Sequence, residues 1–195
     1  MSIPQQTRWA ALALAGLATF AAPAFAGDKV HLATSLGDIV IELDADKAPK
    51  SVANFEQYVK EGHYDGTVFH RVIPNFMIQG GGMTSTFAGL KEKPTHKAIP
   101  LEAGNGLSNV KGSVAMARTG DPNSATAQFF INVQDNPFLD AANSPGGRGG
   151  YAVFGHVVSG MDVVEKIKQV ETATKGPYEN VPVNPVLIKK ATLEK

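Results

Sequence analysis

The chain has 195 residues, of which 43% are hydrophobic and 18% charged, a globular balance that excludes a disordered tail protein or a coiled coil. Lysine plus arginine and aspartate plus glutamate both number 18, so no net basic field exists to gather nucleic acid or anionic lipid. Cysteine is absent, which removes disulfides, thiolate metal sites and cysteine nucleophiles, while 20 glycines and 12 prolines point to many turns and a strand-rich fold.

The N-terminal segment has the pattern of an export signal. Arg8 is the one charged side chain before Asp28, and small or apolar residues follow from Trp9 to Phe20. Ala24-Phe25-Ala26 then supplies the small-residue pattern of a cleavage site. The apolar run falls short of the about 20 residues that a membrane span needs. A cleavable signal peptide is therefore expected over 1–26 and a single domain over 27–195. The expected destination is the periplasm, with secretion as second choice and no membrane attachment after cleavage.

Two period-2 segments, Val30 to Thr34 and Asp38 to Leu43, flank Ser35-Leu36-Gly37 and predict a β-hairpin. Asp44 and Asp46 follow, and are read as N-terminal charge and capping for a helix. That helix starts near Pro49, places Val52, Phe55 and Val59 on one face, and stops at Gly62. Thr67 to Ile73 and Phe76 to Gln79 are predicted strands broken at Pro74-Asn75. Residues 80–112 read as irregular, apart from a short strand at Ala98 to Glu102. Ser113 to Ala117, Phe129 to Val133 and Tyr151 to Val158 are further strands. A second helix is predicted over Gly160 to Val170, with Ser159 and Asp162 as a capping box and Met161, Val164 and Ile167 facing inward. Val186 to Leu193 is the last strand. Many short strands, two distant helices and no βαβ alternation favour an all-β-dominated, closed antiparallel barrel with helices over its ends.

Most catalytic signatures are missing. No phosphate-binding loop, dinucleotide fingerprint, zinc-protease helix or nucleophile elbow occurs, and the five histidines show no metal-ligand spacing. What remains unusual lies in two segments. Phe69-His70-Arg71-Val72-Ile73-Pro74-Asn75-Phe76-Met77-Ile78-Gln79-Gly80-Gly81 places an arginine in an apolar strand. Alternation there sets Phe69, Arg71 and Ile73 on one face, and Phe76 and Ile78 opposite Met77 and Gln79. The second segment runs from Met116-Ala117-Arg118 to Gln128-Phe129-Phe130-Ile131-Asn132. Taken alone, these segments read equally well as a phenylalanine-rich core with an arginine at its rim.

Both segments resemble the cyclophilin family of peptidyl-prolyl cis–trans isomerases, and specifically its exported bacterial branch. The first is similar to the signature F-H-R-x-I-P-x-F-M-x-Q-G-G, and the second to S-Q-F-F-I with Ala127 in place of serine. Ala53-Asn54-Phe55, Asn136-Pro137-Phe138-Leu139-Asp140 and Val153-Phe154-Gly155 extend the likeness over nearly all of residues 28–193. The resemblance implies an eight-stranded antiparallel β-barrel capped by two α-helices, with a peptide groove on its outside. It implies Arg71, Gln79 and Phe76 as catalytic residues. For substrate binding it implies Met77, Ala117, Arg118, Gln128, Phe130, Phe138, Leu139 and Tyr151. Eukaryotic members carry tryptophan at Phe138, histidine at Tyr151 and asparagine at Arg118. Loss of the indole N–H makes tight cyclosporin binding unexpected.

The implied function is prolyl isomerase (rotamase) activity on Xaa-Pro bonds of unfolded or partly folded exported polypeptides, assisting their folding. No metal or cofactor is required, no nucleic acid is expected as partner, and a monomer is expected. The alternative is a non-catalytic chaperone or scaffold module that only grips proline-containing segments. The intact Arg71 argues against it, since a pure binder has no need of that donor.

Overall fold

The computed structural model describes residues 28–144 and 149–194. The segment expected to be a signal peptide lies outside them. The chain opens with β1 (Lys29–Thr34) and β2 (Gly37–Leu43), paired antiparallel through the predicted hairpin. Helix α1 (Pro49–Lys60) follows and buries Val52, Phe55, Tyr58 and Val59. Its N-terminus is not capped by Asp44 or Asp46. Glu102, far along the chain, accepts from the Lys50 and Ser51 amides at 3.0 and 2.7 Å and from the Ser51 hydroxyl at 2.7 Å. A carboxylate at a helix N-terminus complements its dipole, and here it also ties the irregular segment around Glu102 to the helix.

Next come β3 (Arg71–Ile73), β4 (Met77–Gly80), β5 (Met83–Thr86), β6 (Gly89–Glu92), β7 (Ser113–Met116) and β8 (Phe129–Asn132). Short 3-10 turns at Pro137–Leu139 and Ala141–Asn143 precede β9 (Val153–Ser159). Helix α2 (Met161–Lys168), β10 (Thr172–Lys175), β11 (Tyr178–Pro182) and β12 (Ile188–Glu194) complete the order.

Eight strands form one antiparallel sheet in the order β12-β1-β2-β9-β7-β8-β4-β3. The sheet curls until its ends meet. Gly66 N donates to Ile188 O at 2.8 Å, Ile188 N to Thr67 O at 2.8 Å and Phe69 N to Val186 O at 2.9 Å. The expected fold is thus present. Inside it lies a core of Val30, Leu32, Ile39, Ile41, Phe55, Phe69, Ile78, Val114, Met116, Phe129, Ile131 and Phe154, closed by the helices.

Several local expectations are corrected. Thr67 to Ile73 is a strand only from Arg71; before it, Thr67 and Val68 make isolated bridges. The 98–102 segment is likewise a lone bridge, Ile99 to Ala125. Residues 80–112 contain the β5–β6 hairpin, and β10–β11 forms a second hairpin where none was expected. The capping box at Ser159 does not form. The α2 N-cap is Gly160 with φ 88° and no side-chain cap, and a Cβ there would collide with the Asp38 carbonyl. Strand packing under the helix, rather than a cap, fixes that start.

Candidate active site

The sheet register builds the site. Arg71 pairs with Gln79 across β3 and β4, Gln79 with Phe130 across β4 and β8, and Phe130 with Ala115 across β8 and β7. Directly opposed residues share a face, so these side chains form one row across the outside of the barrel. A parallel row holds Ile73, Met77 and Asn132. Their neighbours Ile78, Val114, Phe129 and Ile131 point into the barrel core. Met77, Ala115, Phe130, Leu139 and Val153 make a second apolar cluster, flanked by Phe76, Ala117 and Tyr151.

The predicted faces need two changes. Phe69 lies in the barrel core, away from Arg71, because β3 begins only at Arg71 and alternation does not reach back to it. Phe76 joins Met77 and Gln79 rather than Ile78, because it sits in the turn before β4, where its amide donates to Ile73 O at 3.0 Å.

A cavity of about 320 Å³ is lined by Arg71, Phe76, Met77, Gln79, Ala117, Arg118, Phe130, Phe138, Leu139 and Tyr151. All the candidate residues except Gln128 therefore line one cavity. Gln128 stands beside it, its Oε1 accepting from Gln79 Nε2 at 2.9 Å. Gln79 Oε1 in turn receives a long 3.4 Å contact from Arg71 Nη1. Among the described residues, the guanidinium on the lining of this largely apolar pocket is thus held by a long contact to Gln79. Gly82 permits this arrangement: a Cβ at that position would overlap the Gln128 side chain.

The walls are aromatic. Phe76 stacks on Phe138 with centroids 5.6 Å apart, and Tyr151 meets Phe130 edge-on at 5.6 Å. Arg118 braces the Tyr151 wall. Its Nε and Nη2 donate to Gly150 O at 3.0 and 2.8 Å, and its Cζ lies 4.6 Å from the Tyr151 ring centroid. Phe138 remains half-exposed at the lip. Adjoining hollows share Arg71 and Gln79 on one side and Arg118 and Tyr151 on the other, so the cavity is the middle of an extended groove.

His70, next to Arg71, went unassigned among the scattered histidines. It is buried, and burial together with the nearby Arg71 charge lowers its pKa to about 4. A neutral imidazole there adds no competing charge behind the guanidinium. Sequence reasoning also passed over Asn109, Asn132 and Asn136, all buried behind the groove. A polar residue ending the apolar run Phe129-Phe130-Ile131 was the signal that could have found Asn132. Among the described residues no cluster of three or more histidine or acidic side chains could hold a metal ion.

The cyclophilin-type peptidyl-prolyl cis-trans isomerase model matches residues 29–193, which runs from the start of β1 into β12 and takes in every residue of the groove. The chain belongs to this family. Known peptidyl-prolyl cis-trans isomerases are similar over most of their length. The Acinetobacter baylyi enzyme is 55% identical over 178 residues, 91% of either chain. Peptidyl-prolyl cis-trans isomerase A of Dickeya dadantii is 52% identical, covering 89% of this chain and 90% of its own. Isomerase B of Escherichia coli is 52% identical, covering 82% and 96%. Among solved structures, a Cryptosporidium parvum cyclophilin-type isomerase superposes with a TM-score of 0.69 at 25% identity, covering 86% of this chain and 98% of that one. The protein is a peptidyl-prolyl cis-trans isomerase, and as a cyclophilin it binds proline-containing peptides.

Proposed function

We propose that this cyclophilin isomerises Xaa-Pro bonds in exported polypeptides, with Arg71 stabilising the twisted amide. Amide resonance sets a barrier of about 18–20 kcal/mol. No bond breaks in the reaction, so catalysis requires only that a twisted amide be held better than a planar one. On twisting, the proline nitrogen becomes pyramidal and gains a lone pair. Guanidinium groups stay protonated and can donate to that nitrogen. Phe76, Met77 and Phe130 would line the pocket for the proline ring, with Leu139 at its edge. Gln79 and the backbone at Ala117 and Arg118 would hold the substrate main chain, with Gln128 beside them, confining rotation to one side of the bond.

The observation that carries this reading is the position of Arg71, which lines a largely apolar cavity and, among the described residues, makes a long 3.4 Å contact with Gln79. A thousand-fold acceleration needs about 4 kcal/mol of differential stabilisation, and one preorganised donor supplies about 2.7–4 kcal/mol. Exchange between cis and trans forms of a short Xaa-Pro peptide, followed by NMR, tests the assignment. The native protein is expected to speed exchange, while Arg71→Ala loses about 10²–10³-fold of that effect yet still binds the peptide. An Arg71→Ala protein with native exchange rates would sink the proposed role.

Export rests on the N-terminal pattern: Arg8, the apolar run to Phe20 and Ala24-Phe25-Ala26. Uncatalysed prolyl isomerisation takes tens to hundreds of seconds and can limit folding, so an isomerase in the periplasm would serve proteins folding there. The mass of the protein recovered from its native cell envelope checks this, with a mature chain starting at Gly27 expected.

A further inference from the structure

We propose that Asn109, Asn132 and Asn136 act as one positioning unit that sets the spacing of the three walls of the proline pocket. The inference rests on the pocket reading above. The three residues are 1%, 0% and 0% exposed. They come from three different segments: the stretch before β7, the end of β8, and the entry to the 3-10 turn that carries Phe138 and Leu139.

Their bonds run in one direction. Asn136 Nδ2 donates to Phe76 O at 2.9 Å and to Asn132 Oδ1 at 2.8 Å. Asn132 Nδ2 donates to Asn109 Oδ1 at 3.2 Å and to Ser113 Oγ at 2.9 Å. Asn109 Nδ2 donates to Asp140 Oδ1 at 2.9 Å and, at a long 3.4 Å, to Tyr151 O. Every amide hydrogen of the three side chains has an acceptor. The end acceptors are carbonyls and a carboxylate, which cannot donate, so the orientation of each carboxamide is fixed.

The chain of bonds therefore begins on the carbonyl of Phe76 and ends on the residue after Leu139 and on the carbonyl of Tyr151. Each belongs to, or adjoins, a different wall of the cavity. Backbone bonds reinforce the frame: Asn136 N donates to Asn109 O at 2.8 Å, and Tyr151 N to Leu139 O at 2.9 Å. These walls hang on turns and irregular segments, which by themselves have no sheet ladder to hold them. A fully satisfied buried polar network has discrete geometry and resists sliding, unlike an apolar contact of the same area. Asn132 is the hub, since both outer asparagines bond to it.

Asn132→Ala tests the idea against Ile41→Val, a variant inside the barrel on the far strand β2, with both assayed well below their melting temperatures. Misplaced walls cost alignment, so Asn132→Ala is expected to lower kcat/KM for an Xaa-Pro peptide by about tenfold. The ring signals of Phe76 and Tyr151 should shift in the peptide-free protein, while Ile41→Val changes neither. A folded Asn132→Ala protein with native kcat/KM and unshifted ring signals overturns the proposal. Should that variant fail to fold, Ser113→Ala withdraws a single acceptor from the hub. It is expected to lower kcat/KM roughly threefold, and a native value there overturns the proposal equally. Titration of the native protein with the same peptide separates the two readings. If Phe76, Met77 and Phe130 signals do not respond, the pocket assignment itself fails; if they respond and the variants stay native, only the network fails.

Discussion

Strands β1 and β2 bury every second residue, whereas β7 and β8 are buried at all four of their positions. On the first pair the outward side chains include Lys29, His31, Asp38 and Glu42, and water covers them. On the second pair the outward side chains are Ser113, Ala115, Phe130 and Asn132, and an outer layer of loops covers them. A strand with one wet face shows clean alternation, while one buried on both faces loses it. In this barrel the loss of alternation coincides with the proposed peptide groove, which needs an apolar floor outside the core.

The sharpest way to test that contrast is at two adjacent residues. Phe129 points inward and meets Phe55 edge-on at 5.3 Å and Tyr64 at 5.6 Å. Phe129→Ala should cost about 3–5 kcal/mol of stability by chemical denaturation, a large share of the about 5–15 kcal/mol usual for a domain. Phe130→Ala should lose less stability but about 10²-fold of kcat/KM, through loss of the pocket floor. Equal effects on stability and activity at both positions would erase the distinction.

A middle-sized effect concerns pH. His70 has a folded-state pKa of about 4, below its ordinary value near 6.5. The unfolded chain then binds more protons between those values, so stability falls as pH drops from about 6.5 to 4. The loss from this residue is up to about 3 kcal/mol, and His63, also lowered by burial, adds in the same direction. Urea melts at pH 7 and pH 4.5 should show the drop, and His70→Asn should shrink it. No proton moves in the proposed reaction, so exchange rates should stay flat between about pH 6 and 8.

The smallest effect belongs to the wet face. His31 on β1 lies 3.4 Å from an exposed Asp38 carboxylate. His31→Ala should change stability by no more than about 0.5 kcal/mol and leave exchange rates alone.

The sequence made the main sheet legible because Val30 to Leu43 alternates and because Phe129 to Asn132 is too apolar for a loop. It hid the hairpins β5–β6 and β10–β11, whose Thr, Ser, Lys and Glu side chains make largely exposed ribbons with no strong apolar face to read. It also misplaced Phe69 and Phe76, since alternation holds only while backbone stays extended, and β3 and β4 are shorter than the apolar run. Residue identities located the groove through the family resemblance. The asparagine frame behind it was invisible because hydrogen bonds between distant segments leave no periodicity. The Glu102 cap on α1 escaped notice for the same reason.

Strand β1 is hydrogen-bonded to β12, with Lys29 opposite Glu194. Among the described strands, the first in chain order is therefore held by the last. A nascent chain can form the β1–β2 hairpin and α1 early, yet the barrel seam at Gly66 to Phe69 stays open until β12 has emerged. Closing so long a loop precedes any reward from the contacts it brings, which makes folding slow for the chain's size. A prolyl isomerase thus has a topology that delays its own closure until the last of its described strands is available.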